Sequence, residues 1–201
     1  MNLQNRYFRS AKRKEEESKQ MKKIYFCRHG ETFWNVENKI CGVTDIALTP
    51  KGHAQAEETG RLIKERLEKG EIVIDEILSS PLSRAYDTAK HIAELTGLPL
   101  RAEERLKEQN FGKYEGTARD GEIFKLEKRN FVQSYEGGES MLRLCQRIYN
   151  LLDELSQNDK TYLLVAHNGI ARAVNSYFFD MTNESYGDFG IRNCELLEYH
   201  F

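Results

Sequence analysis

No apolar run in this 201-residue sequence approaches the roughly 20 residues needed to cross a bilayer, so no transmembrane helix and no membrane partner is expected. Charge of one sign is also missing. Thirty Lys and Arg stand against 32 Asp and Glu, a formal net charge of −2, which excludes a global pull toward nucleic acid or acidic surfaces. Any anion must therefore be held locally. Cysteines are few: Cys27, Cys41, Cys145 and Cys194 form no C-x-x-C pair and read as free thiols of a reducing, cytoplasmic compartment. Cys27 and Cys145 fall in apolar patterns that suit core packing, whereas Cys41 sits in a loop before Gly42. The five histidines show no zinc-like spacing with the cysteines, so no metal is implied. Prolines number three, no Pro/Gly-rich linker or internal repeat divides the chain, and one domain over residues 23–201 is expected.

Residues 1–22 differ from the rest. Arg6, Arg9, Lys12, Arg13 and Lys14 precede Glu15-Glu16-Glu17, with little apolar content after Phe8 and no apolar core of a secretory signal. A solvated or helical tail is expected there, and Met21 offers an alternative start.

What is present is a set of short apolar runs, each ending in polar residues. Ile24-Tyr25-Phe26-Cys27 runs into Arg28-His29-Gly30-Glu31, Tyr162 to Ala166 runs into His167-Asn168-Gly169, and Ile72 to Leu78 runs into Ser79-Ser80-Pro81 and Arg84. The lengths and the β-branched and aromatic content predict buried strands. Polar residues at strand ends lie where open α/β sheets place their ligand crevice. Between these runs, Thr49-Pro50 reads as N-cap and first residue of a helix reaching about Glu68 and ending at Gly70. Further helices are predicted over about Leu82–Thr96, before Gly97 and Pro99, around Ile123–Phe131, from Ser140 to about Asn158, and over Ile170–Phe179. A last strand is predicted over Glu195–Tyr199, and Arg105 to Gly116 reads mostly as loop. Strands alternating with helices predict a three-layer α/β/α sandwich with a mostly parallel sheet and one antiparallel edge strand.

The chain resembles the histidine phosphatase superfamily, which includes the cofactor-dependent phosphoglycerate mutases. The resemblance is carried by Arg28-His29-Gly30-Glu31-Thr32 with Trp34-Asn35, and by Gly42 to Asp45 followed by Leu48-Thr49 and Gly52. It continues through Ser79-Ser80-Pro81 with Arg84-Ala85 and Thr88-Ala89, Leu106 and Glu108 before Gly112, and Ala166-His167. These pieces stand in the family's order over residues 23–199.

The resemblance implies that His29 attacks phosphorus, becomes phosphohistidine and is released by water. A neutral imidazole is a competent nucleophile near pH 7, its reference pKa being about 6.5. Arg28 and Arg84 would clamp the phosphoryl oxygens, since guanidinium forks match them bidentately and keep their charge. His167 would hold another oxygen. Asn35 matches a phosphate contact, although asparagine also caps local turns. Gly42 and the Asn168 backbone are further candidates for phosphate binding. Glu108 occupies the family's acidic position and is the candidate general acid, provided burial or phosphate charge keeps it protonated. Glu31 reads as an orienting group. With two arginines and two histidines present, no metal and no cofactor is implied.

Departures from the pattern bear on the reaction. Asn168 precedes Gly169, where many relatives carry glycine first. Mutases carry tyrosine in place of Phe111 and arginine in place of Gln109. They also have a longer insertion with paired arginines before Gly137-Gly138-Glu139-Ser140. Here Lys125, Lys128 and Arg129 form the obvious basic cluster, and fewer cations around a second charged group favour water as the acceptor. The expected function is hydrolysis of a small phosphorylated metabolite, with a mutase or a non-catalytic phosphate-binding relative as alternatives. Arg119 is a candidate for a second anionic group on the substrate. Phe111, Tyr114 and Phe124 can serve as pocket walls or as core, and the surface helices leave a homodimer open.

Overall fold

Side-chain alternation along the central strands builds a core on each face of one sheet. The computed structural model describes residues 22–201. The expectations for the N-terminal segment and for Met21 lie outside the described residues. In chain order the elements are β1 (Lys23–Arg28), α1 (Phe33–Val36), α2 (Pro50–Glu68), β2 (Glu76–Ser79), α3 (Ser83–Thr96) and β3 (Leu100–Ala102). They continue with α4 (Glu122–Glu127), α5 (Met141–Ser156), β4 (Tyr162–Ala166), α6 (Asn168–Phe178), α7 (Asn183–Asp188) and β5 (Leu196–His200). Among the described residues no helix is long and apolar enough to cross a membrane.

The sheet has the order β3-β2-β4-β1-β5, with β5 antiparallel to β1 at the edge and the other pairs parallel. This is the architecture expected from the sequence. Ile24, Phe26, Leu78, Leu164 and Ala166 point to one face, where α5, α6 and α7 cover them with Leu144, Ile148, Leu151, Ile170 and Tyr186. Tyr25, Cys27, Ile77, Leu163 and Val165 point to the other, against Ile63 of α2 and Ala89 and Ile92 of α3. Successive residues of a strand face opposite ways, so a strand buried on both sides reads as a continuous apolar run.

Caps set the helix ends. Thr49 Oγ1 accepts the Gly52 N–H at 3.0 Å with Pro50 at the first helical position, and Ser140 accepts the Arg143 N–H at the start of α5. Gly97 takes φ 74° and ends α3 in the left-handed region.

Three boundaries differ from expectation for physical reasons. Ile72–Leu78 does not form one strand: β2 begins at Glu76, although Ile72 and Ile74 are buried. The neighbouring strands begin only at Leu100 and Tyr162, so residues 72–74 have no ladder to join. The helix predicted to Phe131 stops at Glu127, because the chain turns to pack Phe131 against Tyr186, ring centroids 5.5 Å apart. The stretch read as loop after Arg105 contains two single 3₁₀ turns, Glu104–Leu106 and Gly112–Tyr114.

Candidate active site

β1 and β4 lie side by side with Arg28 opposite Ala166, and the His29 N–H donates to the Ala166 carbonyl at 2.9 Å. The next residue on each strand is therefore a histidine, and the His29 and His167 rings meet with centroids 5.2 Å apart. Ser80 follows β2 in the same manner, its N–H on the Val165 carbonyl at 3.0 Å.

A hydrogen bond to a carbonyl assigns the His29 tautomer. His29 Nδ1–H donates to the Gly30 carbonyl at 2.7 Å, which leaves Nε2 unprotonated and free to attack. Ser80 Oγ accepts the Leu82 N–H and stands 2.8 Å from His167 Nε2, a contact that either tautomer of His167 satisfies. Burial holds both imidazoles well below their ordinary pKa, with the Arg84 guanidinium the next largest cause in each case. His29 is therefore neutral at pH 7.

Arg84, in the first turn of α3, is 0% exposed, an expensive place for a charge unless it is well bonded. Its Nη2 donates to the Gly42 carbonyl at 2.6 Å and its Nη1 to the Thr44 carbonyl at 2.9 Å. That loop is pinned in turn by Glu115, whose carboxylate accepts the N–H groups of Gly42, Val43, Thr44 and Phe111. Asp45 holds the start of α3 by accepting from the Ser83 N–H and hydroxyl. The Arg84 Nε, the Arg28 Nε and His167 Nδ1 are buried with no partner among the described residues. Two guanidinium donors beside an imidazole suit a group with several acceptor oxygens, such as a phosphoryl group.

Glu108 is buried. Its Oε2 accepts the Gly169 N–H at 2.9 Å and its Oε1 the Gln109 N–H at 2.9 Å. It lines a cleft of about 100 Å³ together with Arg28, His29, Asn35, Asn168 and Gly169. Phe111 and Phe124 form one wall. They belong to a small aromatic core with Tyr114, Tyr135 and Ile40, so they act as both pocket wall and packing.

The structure places the remaining sequence candidates as follows. Asn35 lines the cleft and also caps α1, its Oδ1 accepting the Thr32 N–H at 3.1 Å. Asn168 lines the cleft while its Oδ1 accepts the Ile191 N–H. Gly42 does not line the cleft: its N–H is taken by Glu115 and its carbonyl by Arg84, which makes it a support for the arginine. Glu31 bonds Thr49 and Lys51 at the start of α2, an orienting place as expected. Arg119 lines the cleft with Nη2 on the Lys39 carbonyl. Of the basic cluster, Lys128 reaches the cleft, whereas Lys125 pairs with Glu122 on the surface. The other basic neighbour, Arg129, is exposed and does not line the cleft.

Two site residues were missed in the sequence. Arg172 lines the cleft one helical turn after Asn168, a spacing of four that places both on one face of α6. Asn193 donates through Nδ2 to the His29 carbonyl at 2.8 Å, and no sequence signal marks it.

Arg28, His29 and Glu108 line the crevice at the strand ends, whereas Arg84 and His167 are fully buried beside it and outside its lining, a set of groups whose chemistry suits a phosphoryl ligand. The model of the histidine phosphatase superfamily (branch 1) matches residues 24–201, and the chain belongs to that superfamily. The probable phosphoglycerate mutase GpmB of Yersinia pestis is 34% identical over 186 residues, covering 88% of this chain and 83% of that protein. The uncharacterized phosphatase PhoE of Bacillus subtilis is 32% identical over 179 residues, covering 88% and 84%. Among solved structures, the phosphoserine phosphatase of Entamoeba histolytica, in complex with 3-phosphoglyceric acid, superposes with a TM-score of 0.75 at 31% identity, covering 89% of this chain and 90% of that one. A mycobacterial glucosyl-3-phosphoglycerate phosphatase does so at 0.75 and 27% identity, with coverage of 89% and 90%.

Proposed function

We propose that this chain is a metal-independent phosphomonoesterase that works through phospho-His29 on a small phosphorylated metabolite. The observation that supports this reading is the unprotonated Nε2 of His29, in a cleft it shares with Arg28, with the His167 ring 5.2 Å away and buried, unpartnered nitrogens on Arg28, Arg84 and His167. Nε2 attacks phosphorus and forms an N–P bond as the bond to the leaving oxygen breaks. The guanidiniums and His167 stabilise the charge on the equatorial oxygens. Glu108 gives its proton to the leaving alkoxide, and the carboxylate then takes a proton from the water that attacks phospho-His29. Inorganic phosphate leaves and neutral His29 is restored. The unpaired cysteines fit a reducing cytoplasm as its location.

The test is phosphate release from p-nitrophenyl phosphate and from a panel of phosphorylated metabolites with EDTA present, wild type beside His29→Ala. Release by the wild type, lost in the variant, is the expected result. An acid-labile, base-stable phosphoprotein after quenching would identify the intermediate.

The mutase reading is kept because the GpmB relative is 34% identical and because Arg119, Lys128 and Arg172 add cations to the cleft. It predicts retention of phosphate on the glycerate and a need for a bisphosphorylated cofactor, where hydrolysis predicts free phosphate. A non-catalytic reading would gain support only from a Glu108 that pointed away from the pocket, and Glu108 is among its lining residues.

A further inference from the structure

Glu108 hangs from irregular chain. Residues 108–111 belong to no helix or strand, so elements elsewhere must fix their place. The Gly169 and Gln109 N–H groups orient the carboxylate, and the peptide that carries it is held by Arg147 of α5. Arg147 Nη2 donates to the Glu108 carbonyl at 3.3 Å, and Nη1 donates to the Arg105 carbonyl. The same guanidinium makes a fork with Glu139, Nε to Oε1 at 2.9 Å and Nη2 to Oε2 at 3.0 Å. Glu139 in turn holds the next two residues. Its N–H donates to the Asn110 carbonyl at 2.8 Å, and its carbonyl accepts from Gln109 Nε2 at 3.1 Å. One ion pair therefore grips the chain on both sides of the candidate acid.

Three features make that grip stiff. Arg147 is a neighbour of Leu144 and Leu151 on α5, both fully buried in the core, so its base cannot move without the helix. The side chains of Arg147 and Glu139 are only 21% and 19% exposed, and a pair so shielded from water keeps its geometry better than a surface pair does. A guanidinium offers donors in fixed directions within one plane, which lets it meet a carboxylate and two carbonyls at once; an ammonium has no such fork. Neither Arg147 nor Glu139 lines the cleft, so neither touches the substrate. What the pair sets is where Glu108 stands, and a misplacement of about 1 Å can cost about 10²-fold in rate.

We infer that Arg147 and Glu139 are positioning residues for the general acid: their ion pair pins the Glu108 peptide so that its carboxyl group meets the leaving oxygen. This rests on the phosphomonoesterase reading, with Glu108 as proton donor, and adds to it the part of the fold that aims the proton. The pair makes no bond to substrate, so it matters only where the leaving group needs a proton.

The test measures kcat and KM on glycerol 3-phosphate, whose alkoxide needs a proton, and on p-nitrophenyl phosphate, whose phenolate does not. Arg147→Gln should lower kcat on glycerol 3-phosphate about tenfold or more, leave KM nearly unchanged and lower kcat on p-nitrophenyl phosphate far less. Arg147→Lys should recover little, because lysine cannot form the fork. Glu139→Gln keeps an acceptor oxygen and should show the same selectivity at smaller size; it takes over if Arg147→Gln melts below the assay temperature. Added to Glu108→Gln, Arg147→Gln should cost nothing further on glycerol 3-phosphate, since the pair acts through the acid. Equal losses on both substrates, or full additivity in that double variant, would overturn the inference and leave a purely structural pair. No selective loss in Glu108→Gln itself would sink the acid assignment instead, and no turnover of either compound by the wild type would count against the phosphatase reading. In both cases the Gly169 amide, which donates to the Glu108 carboxylate, still decides the pinning. Its NMR shift in Arg147→Gln should move toward its value in Glu108→Gln, and an unmoved shift would overturn the inference.

Discussion

Glu108 and Gly169 are fitted to one another: the Gly169 N–H donates to Oε2 at 2.9 Å, and a Cβ on residue 169 would stand 2.4 Å from Oε1. A side chain at 169 is accommodated only if the Glu108 carboxylate shifts, and the order Asn168-Gly169 places this glycine one residue later than in many relatives. Gly169→Ala should therefore displace the carboxylate and lower kcat/KM by tenfold or more while α6 stays folded. The measurement is kcat/KM on an alkyl phosphate together with helix content by circular dichroism. Alanine with full activity would show that Glu108 can shift freely.

Glu108→Gln separates proton donation from binding. An alkyl leaving group needs the proton and p-nitrophenolate does not, so the loss should be about 10²–10⁴-fold on alkyl phosphates and much smaller on p-nitrophenyl phosphate. Equal losses on both would remove Glu108 as the acid.

Glu115 does not itself line the cleft, yet it holds the loop whose carbonyls grip Arg84. It acts as a positioning residue. Glu115→Ala should free the 42–44 loop, raise the Ki of vanadate and lower kcat about tenfold or more. Glu115→Gln, which keeps one acceptor oxygen, should recover part of the loss. A purely structural role would lower the melting temperature without changing the vanadate Ki.

Stability should fall on the acid side of neutrality. His29 and His167 are buried neutral, with folded pKa values well below the unfolded 6.5. Between the folded and unfolded values the unfolded chain binds more protons, so unfolding free energy rises with pH. The stabilisation is complete above about pH 6.5 and is lost as pH falls toward the folded values. Urea midpoints from pH 5 to 7.5 should therefore rise with pH, and the slope should flatten in His167→Asn. An unchanged slope in that variant would mean that other groups carry the effect.

Leu164 is fully buried in the central strand β4, under α5 and α6. Leu164→Ala should cost about 2–5 kcal/mol in urea unfolding. The exposed Leu62, on the outer face of α2, should cost less than 1 kcal/mol or so on the same change.

Much of this was legible because it is local. The run Ile24 to Cys27 ahead of Arg28-His29, and Tyr162 to Ala166 ahead of His167, declare strands that end in imidazoles. Thr49-Pro50 and Ser140 declare their helices, since a cap is satisfied within three residues. The resemblance then joined the pieces in one order. Where reading failed, the cause was long-range. Ile72 to Ile74 have the pattern of a strand and no neighbouring strand to pair with. Gly42 reads as a phosphate contact by resemblance and instead gives its carbonyl to Arg84. Lys125, Lys128 and Arg129 are equivalent in sequence, and only the turn after α4 brings Lys128 to the cleft. Arg172 offered one faint signal, its spacing of four from Asn168.

By itself the sequence determined the strand and helix order, the two histidines at strand ends and the residue types able to hold and attack a phosphoryl group, because periodicity, caps and strand-end position act over a few residues. Only the tertiary structure decided that Arg28 lies opposite Ala166, so that His29 and His167 face each other, and that alternate carbonyls at Gly187, Phe189 and Ile191 line three cations along one cleft. Register and carbonyl anchoring join residues more than 130 positions apart, or on separate elements, and such pairings exist only once the sheet has closed on its helices.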